Sequence, residues 1–417
     1  MKAEIIAIGS ELLTPDRVDT NSLFLTEQLN RLGIEVLRKL VVGDQRSLIR
    51  DAFREALECA ELVISIGGLG PTEDDLTRDA VAELLGRKLK RNDAILRGIQ
   101  ARFRQLGRQM AEVNARQALV PEGALVLENT RGTAPGLWLE TNGCILILLP
   151  GPPHELKTMF AEQVAARLAE RSGGTRLFKR ELRVTGLPES DVDQRVAPIY
   201  TRYTDAQTTV LALPGEIHIH FRVWSADAAA AEKLLDEMVE RITLALGENL
   251  FSASGEALEE VVAQSLNRNH ATIAVAESCT GGLLAERLTR IPGSSSYFLG
   301  GVVCYSNDLK KAWVDVPGEL LEAKGAVSAE VARALAEGIR RRSGSTLGLG
   351  VTGIAGPGGG SPEKPVGTVH IALADGSTNK EYSLRFPGDR DRIRWHASQA
   401  ALDVVRRHFL YAAQAKG

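Results

Sequence analysis

Two potential nucleophiles, Ser278 and Cys279, stand side by side in the last third of the chain. A β-branched and alanine-rich run precedes them, and a segment with the apolar spacing of a helix follows. This pattern predicts a strand, a tight turn with Thr280 as N-cap, and a helix opened by Gly281 and Gly282. Backbone amides at a helix N-terminus can stabilise an oxyanion, so acyl transfer is one interpretation. A turn that only caps the helix is the other.

Two residues later in the chain, a lysine and a tyrosine, could take part in proton transfer with this serine. The chain has no histidine in a comparable turn, but a lysine can replace histidine as the base when burial lowers its pKa. Lys310 could take that role, with Tyr305 relaying or orienting a proton. Arg390 lies in a turn where it could bind a phosphate, and Thr352 begins a glycine-rich loop. The alternatives are a solvated helix start for Lys310 and a surface ion pair for Arg390.

A second chemical site is predicted near residue 70, where a buried strand ends in a glycine-rich loop followed by acids. Glycines let a backbone approach phosphate closely, whereas carboxylates repel it. A divalent metal held by Asp74 and Asp75 against a phosphate would reconcile the two. The loop matches neither the dinucleotide fingerprint nor the P-loop. A turn followed by the acidic first turn of a helix is the alternative.

Composition indicates a soluble globular protein of two or three domains. The 417 residues are 44% hydrophobic and 25% charged, with a formal net charge of −3. Four dispersed cysteines suit a reducing compartment, and we find neither a signal peptide nor a membrane-spanning run. We therefore expect a cytoplasmic protein without nucleic acid or membrane as its main partner.

The order of predicted elements gives an α/β, multidomain fold. Strands alternate with helices over the first part, which indicates a doubly wound parallel sheet whose ligands bind at the carboxyl ends of strands. A smaller α+β unit follows, without a GxxG clamp. In it, His218 and His220 alternate with apolar residues and could ligate zinc, but no third ligand accompanies them in sequence. We therefore expect them on the solvated face of a strand.

Taken together, the motifs resemble the CinA (competence/damage-inducible protein A) family over essentially the whole chain. The first domain carries Gly-Ser-Glu-Leu-Leu at residues 9–13, Asp-Thr-Asn at 19–21, Gly-Gly-Leu-Gly-Pro-Thr at 67–72 and Pro-Gly-Pro-Pro at 150–153. The last domain carries Ala-Glu-Ser-Cys-Thr-Gly-Gly, Cys-Tyr-Ser-Asn, Gly-Ile-Ala-Gly-Pro and Phe-Pro-Gly-Asp-Arg. These last motifs look like nicotinamide mononucleotide deamidase.

The resemblance implies three domains. A molybdopterin-binding-like domain over residues 1–172 would be a metal-dependent ADP-ribose pyrophosphatase. An α+β KH-type connector would cover residues 173–252. An α/β amidase domain over residues 253–417 would deamidate nicotinamide mononucleotide without a cofactor. A homodimer is the expected assembly. The competing hypothesis is a non-enzymatic pterin binder or scaffold linked to competence or DNA damage, or a protein with only one active domain.

The resemblance also assigns residues to roles. It implies Ser278 as nucleophile, with Tyr305 and Lys310 in proton transfer, and makes Cys279 the less probable nucleophile. Its implied substrate contacts are Thr280, Gly281, Gly282, Thr352, Gly353 and Arg390. For the first domain it implies a pyrophosphate site with Asp74 and Asp75 as metal ligands, comprising Glu11, Asn21, Gly67, Gly68, Gly70, Thr72, Asp74, Asp75, Thr77 and Gly151.

Overall fold

A computed structural model describes residues 1–414. It divides into two compact units, one of residues 1–178 with 223–233 and the other of residues 179–222 with the chain from 234 onward. Each unit is described by itself below. Within the described residues, every helix is too short or too polar to traverse a bilayer.

The first unit is built on a six-stranded sheet in the order β2-β1-β3-β8-β7-β6. Its strands are β1 (Lys2–Ile8), β2 (Glu35–Val42), β3 (Leu62–Ile66), β6 (Leu125–Leu127), β7 (Gly136–Thr141) and β8 (Cys144–Leu149), and a separate two-stranded ribbon joins β4 (Leu89–Arg91) to β5 (Leu119–Pro121). Its helices are α1 (Thr20–Arg31), α2 (Arg46–Cys59), α3 (Thr77–Leu84), α4 (Asp93–Gln105), α5 (Pro153–Met159) and α6 (Ala165–Arg171).

Alternate residues of the central strands enter two separate cores, one on each face of this sheet. Ile5 and Ile64 belong to one core, whereas Ile6 and Val63 belong to the other. Strands β2, β1, β3 and β8 run parallel, β7 is antiparallel to β8, and the edge strand β6 is antiparallel to β7. This confirms the predicted doubly wound α/β arrangement, in which both faces of buried parallel strands are covered by helices.

The second unit begins with a four-stranded sheet in the order β10-β11-β9-β12. It consists of β9 (Arg176–Thr185), β10 (Gln207–Leu213), β11 (Glu216–Ser225) and β12 (Leu250–Ser252), with helices α7 (Glu189–Tyr200) and α8 (Ala228–Leu246). Strand β11 alternates strictly, because Ile217, Ile219 and Phe221 are buried in the core. This is the predicted α+β segment.

The rest of the second unit is a five-stranded sheet in the order β14-β13-β15-β16-β17. Its strands are β13 (Ile273–Glu277), β14 (Phe298–Val303), β15 (Leu347–Gly353), β16 (Thr368–Ala374) and β17 (Asn379–Arg385). Its helices are α9 (Leu258–Arg268), α10 (Leu283–Thr289), α11 (Asn307–Val314), α12 (Gly318–Lys324), α13 (Ala329–Ser343) and α14 (Arg390–Gln414). Strand β13, the middle one of the three parallel strands β14, β13 and β15, again sends alternate residues into two cores.

Three local predictions differ from the structure. The residues 92–117 are predicted to be helical with a break at Gly107, and the break is confirmed, because Gly107 takes a left-handed φ of +66°. The first part is an α-helix to Gln105, but the last part is a 3-10 helix instead of an α-helix. The short strands β4, β5, β6 and β12 have three residues each, too few to show a period. The solvated face expected for His218 and His220 is wrong: both are half-buried, and the His218 side chain is only 12% exposed.

Candidate active sites

Ser278 is the first residue beyond the central strand β13, and the neighbouring strands fix its backbone. Its N–H donates to Val351 O at 2.9 Å, so the chain continues in register with β15. On the other side, the amide of Cys304 donates to Glu277 O at 2.9 Å. The serine therefore lies at the carboxyl edge of three parallel strands, where open α/β sheets place their ligands.

The helix after this turn is capped by a carboxylate that sequence analysis did not single out. The N-cap is Gly282, not Thr280 as predicted, because Glu277 reaches forward from the end of β13. Its carboxylate accepts from the amides of Gly282 at 3.0 Å, Leu284 at 3.1 Å and Ala285 at 2.8 Å. A capping carboxylate five residues before the N-cap has no recognised sequence signature, whereas in a capping box the two residues are three positions apart.

This cap restricts which groups could stabilise an oxyanion. Amides at the N-terminus of α10 already bind the Glu277 carboxylate, and the amide of Gly281 donates to Ser278 O at 3.2 Å. The next two amides after Ser278 in sequence are those of Cys279 and Thr280. They are therefore the alternative donors to an oxyanion. The helix terminus serves to hold the turn rigid rather than to bind substrate directly.

Lys310 is brought to Ser278 from the second turn of α11. Its Nζ lies 3.2 Å from Ser278 Oγ, 2.9 Å from Cys304 O and 3.0 Å from Tyr305 O. The residue is only 1% exposed, and this burial lowers the pKa of its ammonium group. The solvated helix start that the sequence left open for Lys310 is therefore excluded, although Lys311 is exposed and pairs with Asp308.

The environment of Lys310 accommodates an uncharged amine. An uncharged amine has two N–H donors and one lone pair. In the structure Nζ donates to both carbonyl oxygens and to Ser278 Oγ. In the uncharged form the two N–H donors would keep the carbonyl oxygens, and the lone pair would face the hydroxyl hydrogen of Ser278. Burial disfavours the charged form, and no carboxylate contacts Nζ among the described residues to restore it. This arrangement suits removal of a proton from the serine.

Tyr305 and Arg390 form a more open part of the same site. The Tyr305 side chain lies at a position 57% exposed, and its hydroxyl accepts from Arg390 Nη2 at 3.0 Å. Arg390 Nη1 donates to Gly356 O at 2.9 Å, which ties the start of α14 to the glycine-rich loop. The structure thus places Tyr305 and Arg390 in direct contact, whereas sequence analysis had considered a surface ion pair for the arginine.

The other predicted substrate contacts surround Ser278 with varying exposure. Thr280 is fully buried, and its carbonyl accepts from Arg394 Nη2 at 3.0 Å. Gly281 and Gly282 have left-handed φ values of +61° and +94°, which explains why glycine occupies both positions. Thr352 is fully buried and donates its hydroxyl to Ala326 O at 2.7 Å.

Cys279 faces inward, away from the chemistry expected of a nucleophile. It belongs to the apolar core, and burial raises the pKa of its thiol to about 12. A Cβ on Gly353 would lie 3.1 Å from its sulfur, so the glycine accommodates the cysteine. Since the thiolate is the reactive form of cysteine, a buried thiol of this kind is poorly nucleophilic.

In the first unit, the predicted glycine loop also follows a central parallel strand. Gly67 has a φ of +97°, and a Cβ there would lie 2.4 Å from Ile8 O at the end of the neighbouring strand. A Cβ on Gly68 would lie 2.0 Å from Thr77 Oγ1, and that hydroxyl donates to Gly67 O at 2.9 Å. The glycines are therefore required by the close approach of β1, β3 and the start of α3.

A cavity of about 320 Å³ opens over this loop, and acids dominate its charged lining. The carboxylates that line it are Glu11, Asp44, Asp74, Asp75 and Glu155. The other predicted residues Gly67, Gly68, Gly70, Thr72 and Gly151 also contribute to the lining. Asn21 lies beside it and donates to Gly151 O at 2.8 Å. The structure thus gathers most of the predicted pyrophosphate site around one space.

The two predicted metal ligands differ in what they already bind. Asp75 turns back over Gly70 and accepts from both the amide and the hydroxyl of Thr72, so it shapes the loop. Asp74 lies on the cavity lining. Among the described residues, three acids of this cavity do not converge closely enough to form a complete cation cage.

Comparisons with known proteins cover nearly the whole chain. Residues 4–170 match the family described as probable molybdopterin binding domain, residues 179–252 match the damage-inducible protein CinA KH domain, and residues 255–409 match the CinA C-terminal domain. A CinA-like protein of Koribacter versatilis (strain Ellin345) is 50% identical over 414 residues, covering 98% of this chain and 100% of the relative.

Two further relatives extend these comparisons. A putative competence-damage inducible protein of Desulforudis audaxviator (strain MP104C) is 43% identical over 407 residues, covering 97% of this chain and 98% of the relative. A crystal structure of a CinA protein with unknown function from Thermoplasma acidophilum covers 38% of this chain and 94% of its own, at 36% identity and a TM-score of 0.36. The high coverage of the curated relatives identifies the family of the whole chain.

Proposed function

Since the chain belongs to the CinA family of competence/damage-inducible proteins, we propose that it is a bifunctional hydrolase of pyridine-nucleotide salvage. Its last domain would hydrolyse the carboxamide of nicotinamide mononucleotide to nicotinate mononucleotide and ammonia. The observation that carries this proposal is the distance of 3.2 Å between Lys310 Nζ and Ser278 Oγ, with the lysine buried. A serine paired with an uncharged lysine is an established alternative to the serine–histidine pair in acyl transfer.

The proposed reaction has two steps, which are acylation of Ser278 and hydrolysis of the resulting ester. Lys310 removes the hydroxyl proton as Ser278 Oγ attacks the carboxamide carbon. The tetrahedral intermediate then expels ammonia when the lysine returns that proton to the leaving nitrogen, which breaks the C–N bond and leaves an ester on Ser278. A water molecule, deprotonated by the same amine, hydrolyses the ester and regenerates the serine.

The surroundings of the pair supply the remaining roles. The amides of Cys279 and Thr280 would bind the oxyanion of both tetrahedral intermediates. Tyr305, held by Arg390, would orient the leaving nitrogen, and the unengaged edge of the guanidinium would attract the substrate phosphate. Thr280, Gly281, Gly282, Thr352 and Gly353 would shape the pocket around the nicotinamide ring.

The test is ammonia release from nicotinamide mononucleotide by purified full-length protein. We expect Ser278→Ala to abolish turnover, with kcat lowered on the order of 10⁴-fold or more. Cys279→Ala is the matched control, since it alters the adjacent potential nucleophile. Full turnover by Ser278→Ala, together with loss in Cys279→Ala, would assign the nucleophile to the cysteine instead.

The first domain would hydrolyse the pyrophosphate of ADP-ribose with a divalent metal. Asp74 and Asp75 would hold the ion, with Glu11 nearby, and the ion would screen the substrate phosphates from the acids of the cavity. Gly67, Gly68 and Gly70 would let the backbone approach the pyrophosphate, and Asn21, Thr72, Thr77 and Gly151 would support that loop. Hydrolysis of ADP-ribose that survives EDTA would refute the metal requirement.

A second function for the first domain is supported by one finding. Residues 4–170 match a family described as a probable molybdopterin binding domain. If this domain binds a pterin and does not hydrolyse a diphosphate, the first domain would be a binding module and not an enzyme. Calorimetry with a pterin and product analysis with ADP-ribose discriminate these functions, because only an enzyme turns over its ligand.

A further inference from the structure

A second chemical cluster lies in the KH-type part of the second unit, away from the residues assigned above. His218 and His220 lie two residues apart on β11, and Glu181 lies on the adjacent strand β9. One ligand atom from each comes within 4.8 Å of the others, and among the described residues no further group of three or more potential ligands is this close. The third ligand that the sequence lacked is therefore provided by the neighbouring strand.

His218 is oriented by a carboxylate on its far side. Its Nε2 lies 2.9 Å from Glu216 Oε1, whereas its Nδ1 points to Glu181 Oε1 at 3.6 Å. When Nε2–H donates to Glu216, the lone pair of Nδ1 is left facing the cluster. Glu216 is itself held, since its Oε2 accepts from Gln399 Nε2 at 3.3 Å. Carboxylates arranged in this way fix the tautomer of histidines that bind metals.

His220 provides a nitrogen that lacks a protein partner. Its Nε2 is buried and contacts no hydrogen-bonding group of the described residues. Its ring stacks on that of His218, with centroids 6.1 Å apart and an angle of 19° between the planes. Burial lowers the pKa of His220, which favours the uncharged form of the ring that ligates metals. A buried polar atom without a partner is costly unless something binds it.

The charges around the cluster allow a cation. Arg183 contacts Glu181, but both its Nε and its Nη2 reach the same oxygen, Oε1, at 3.0 Å. The second oxygen of Glu181 is thus not engaged by that arginine. Arg222 also lies near enough to influence His220. The carboxylates of Glu181 and Glu216 offset these two guanidinium groups, so a bound divalent cation would not add to an uncompensated positive charge.

We propose that Glu181, His218 and His220 form a binding site for a divalent metal of the zinc class. Two imidazoles and one carboxylate are a ligand set that zinc accepts, with water in the fourth position. Tetrahedral coordination at about 2.1 Å places ligand atoms roughly 3.4 Å apart. Glu181 Oε1 lies 3.6 Å from His218 Nδ1 but is engaged by Arg183, so a rotation of the carboxylate would present Oε2 to the ion instead. Small side-chain rotations would bring the other ligand atoms to coordination distance. The bound ion would then link β9 to β11. This site is independent of the hydrolase activities proposed above.

Calorimetric titration of the chelator-treated, reduced full chain with Zn²⁺ alone tests this site. We expect His220→Gln, and separately His218→Asn, to lose one equivalent of bound Zn²⁺. The matched control is His370→Asn, because His370 is also a half-buried strand histidine beside a carboxylate, with Nδ1 3.3 Å from Glu381 Oε1. Asp74→Asn distinguishes this equivalent from metal bound in the first domain, and should retain it.

Two further measurements separate direct ligation from loss of structure. Glu216→Gln leaves all three ligands intact but removes the carboxylate behind His218, and should weaken Zn²⁺ binding about 10–100-fold. Substitution with Co²⁺ should give visible absorption of a nitrogen- and oxygen-ligated ion without a thiolate charge-transfer band. Equal Zn²⁺ stoichiometry and affinity in wild type, His218→Asn and His220→Gln would overturn the proposal, as would a thiolate-ligated spectrum.

Discussion

The two candidate active sites occupy equivalent places in two different α/β sheets, yet they are built in opposite ways. Ser278 follows the central parallel strand of one sheet, and the Gly67 loop follows a central parallel strand of the other. Ser278 and Lys310 are buried and already in contact, with 3.2 Å between Oγ and Nζ. Around Gly67 the carboxylates line an open cavity.

This difference follows from the chemistry that each site would perform. A serine and a lysine must be close and shielded from water before substrate arrives, because burial favours the uncharged amine. Carboxylates that hold a metal can stay apart, because ion and phosphate complete the coordination together. The first type of site is assembled by folding and the second by its ligands. Each prediction below tests one side of this contrast.

Apart from Ser278→Ala, the largest effect is expected for Lys310→Met, which keeps the length of the side chain but removes the base. We expect kcat for ammonia release to fall about 10²–10⁴-fold, the usual contribution of general acid–base catalysis. The matched control is Lys311→Met, since that lysine is exposed on the same helix and should leave kcat nearly unchanged. Equal activity of the two variants would show that the buried pair is not the catalytic unit.

The pH dependence of the wild-type acylation rate also tests whether Lys310 is the base. Burial lowers the pKa of Lys310, so the uncharged amine becomes abundant at a lower pH than for a free lysine near 10.4. The rate of acylation should therefore rise with pH through that lowered pKa and then level off. In Lys310→Met this limb should disappear. A profile that rises only near the ordinary lysine value would mean that the amine is solvated during catalysis.

For the open site, Asp74→Asn should lower metal-dependent hydrolysis of ADP-ribose by roughly 10²-fold, by weakening the metal that stabilises the phosphate charge. Raising the metal concentration should restore part of the rate. Glu73→Gln is the control, because Glu73 is exposed next to Asp74 but pairs with Arg116 at 2.9 Å. If Asp74→Asn leaves the metal dependence intact, the ion is held elsewhere in the cavity.

Glu277→Gln tests whether the closed site depends on its remote cap. The carboxylate accepts from three amides, and an amide side chain can replace only one of its oxygens as acceptor. We expect a loss of about 1–2 kcal/mol in the free energy of unfolding, measured by denaturant titration. Glu286→Gln, on the exposed surface of the same helix, should have little effect. Equal stability of both variants would assign the cap no energetic role.

The smallest change is expected for Cys279→Ala. The buried thiol packs in the core without taking part in the proposed chemistry, so kcat should stay within a few-fold of wild type. Loss of the sulfur should cost about 1 kcal/mol of folding stability. Cys59→Ala, at an exposed cysteine, provides the comparison for stability. Reaction of Cys279 with a thiol reagent in the native protein would contradict its burial.

Much of the fold was accessible from sequence because it rests on local periodicity. The short apolar runs at residues 62–66 and 144–149 predict buried strands, and the structure gives β3 and β8 these bounds. Helix α13 was predicted from Ser328, and that hydroxyl does accept from the amide of Val331 at 3.3 Å. Strands of three residues escaped detection, because their pairing depends on distant partners rather than on their own pattern.

Within the candidate sites, the sequence by itself determined which residue types stand at the ends of strands, and hence the proposed pairing of Ser278 with Lys310 and of glycines with acids. Only the tertiary structure decided the contacts. It buried Lys310 beside Ser278, drew Glu277 onto the amides of α10, and set Glu181 beside His218 and His220. Periodicity along a chain reports which face a residue occupies, whereas contacts between strands depend on register and sheet order, which are fixed only when the sheets assemble.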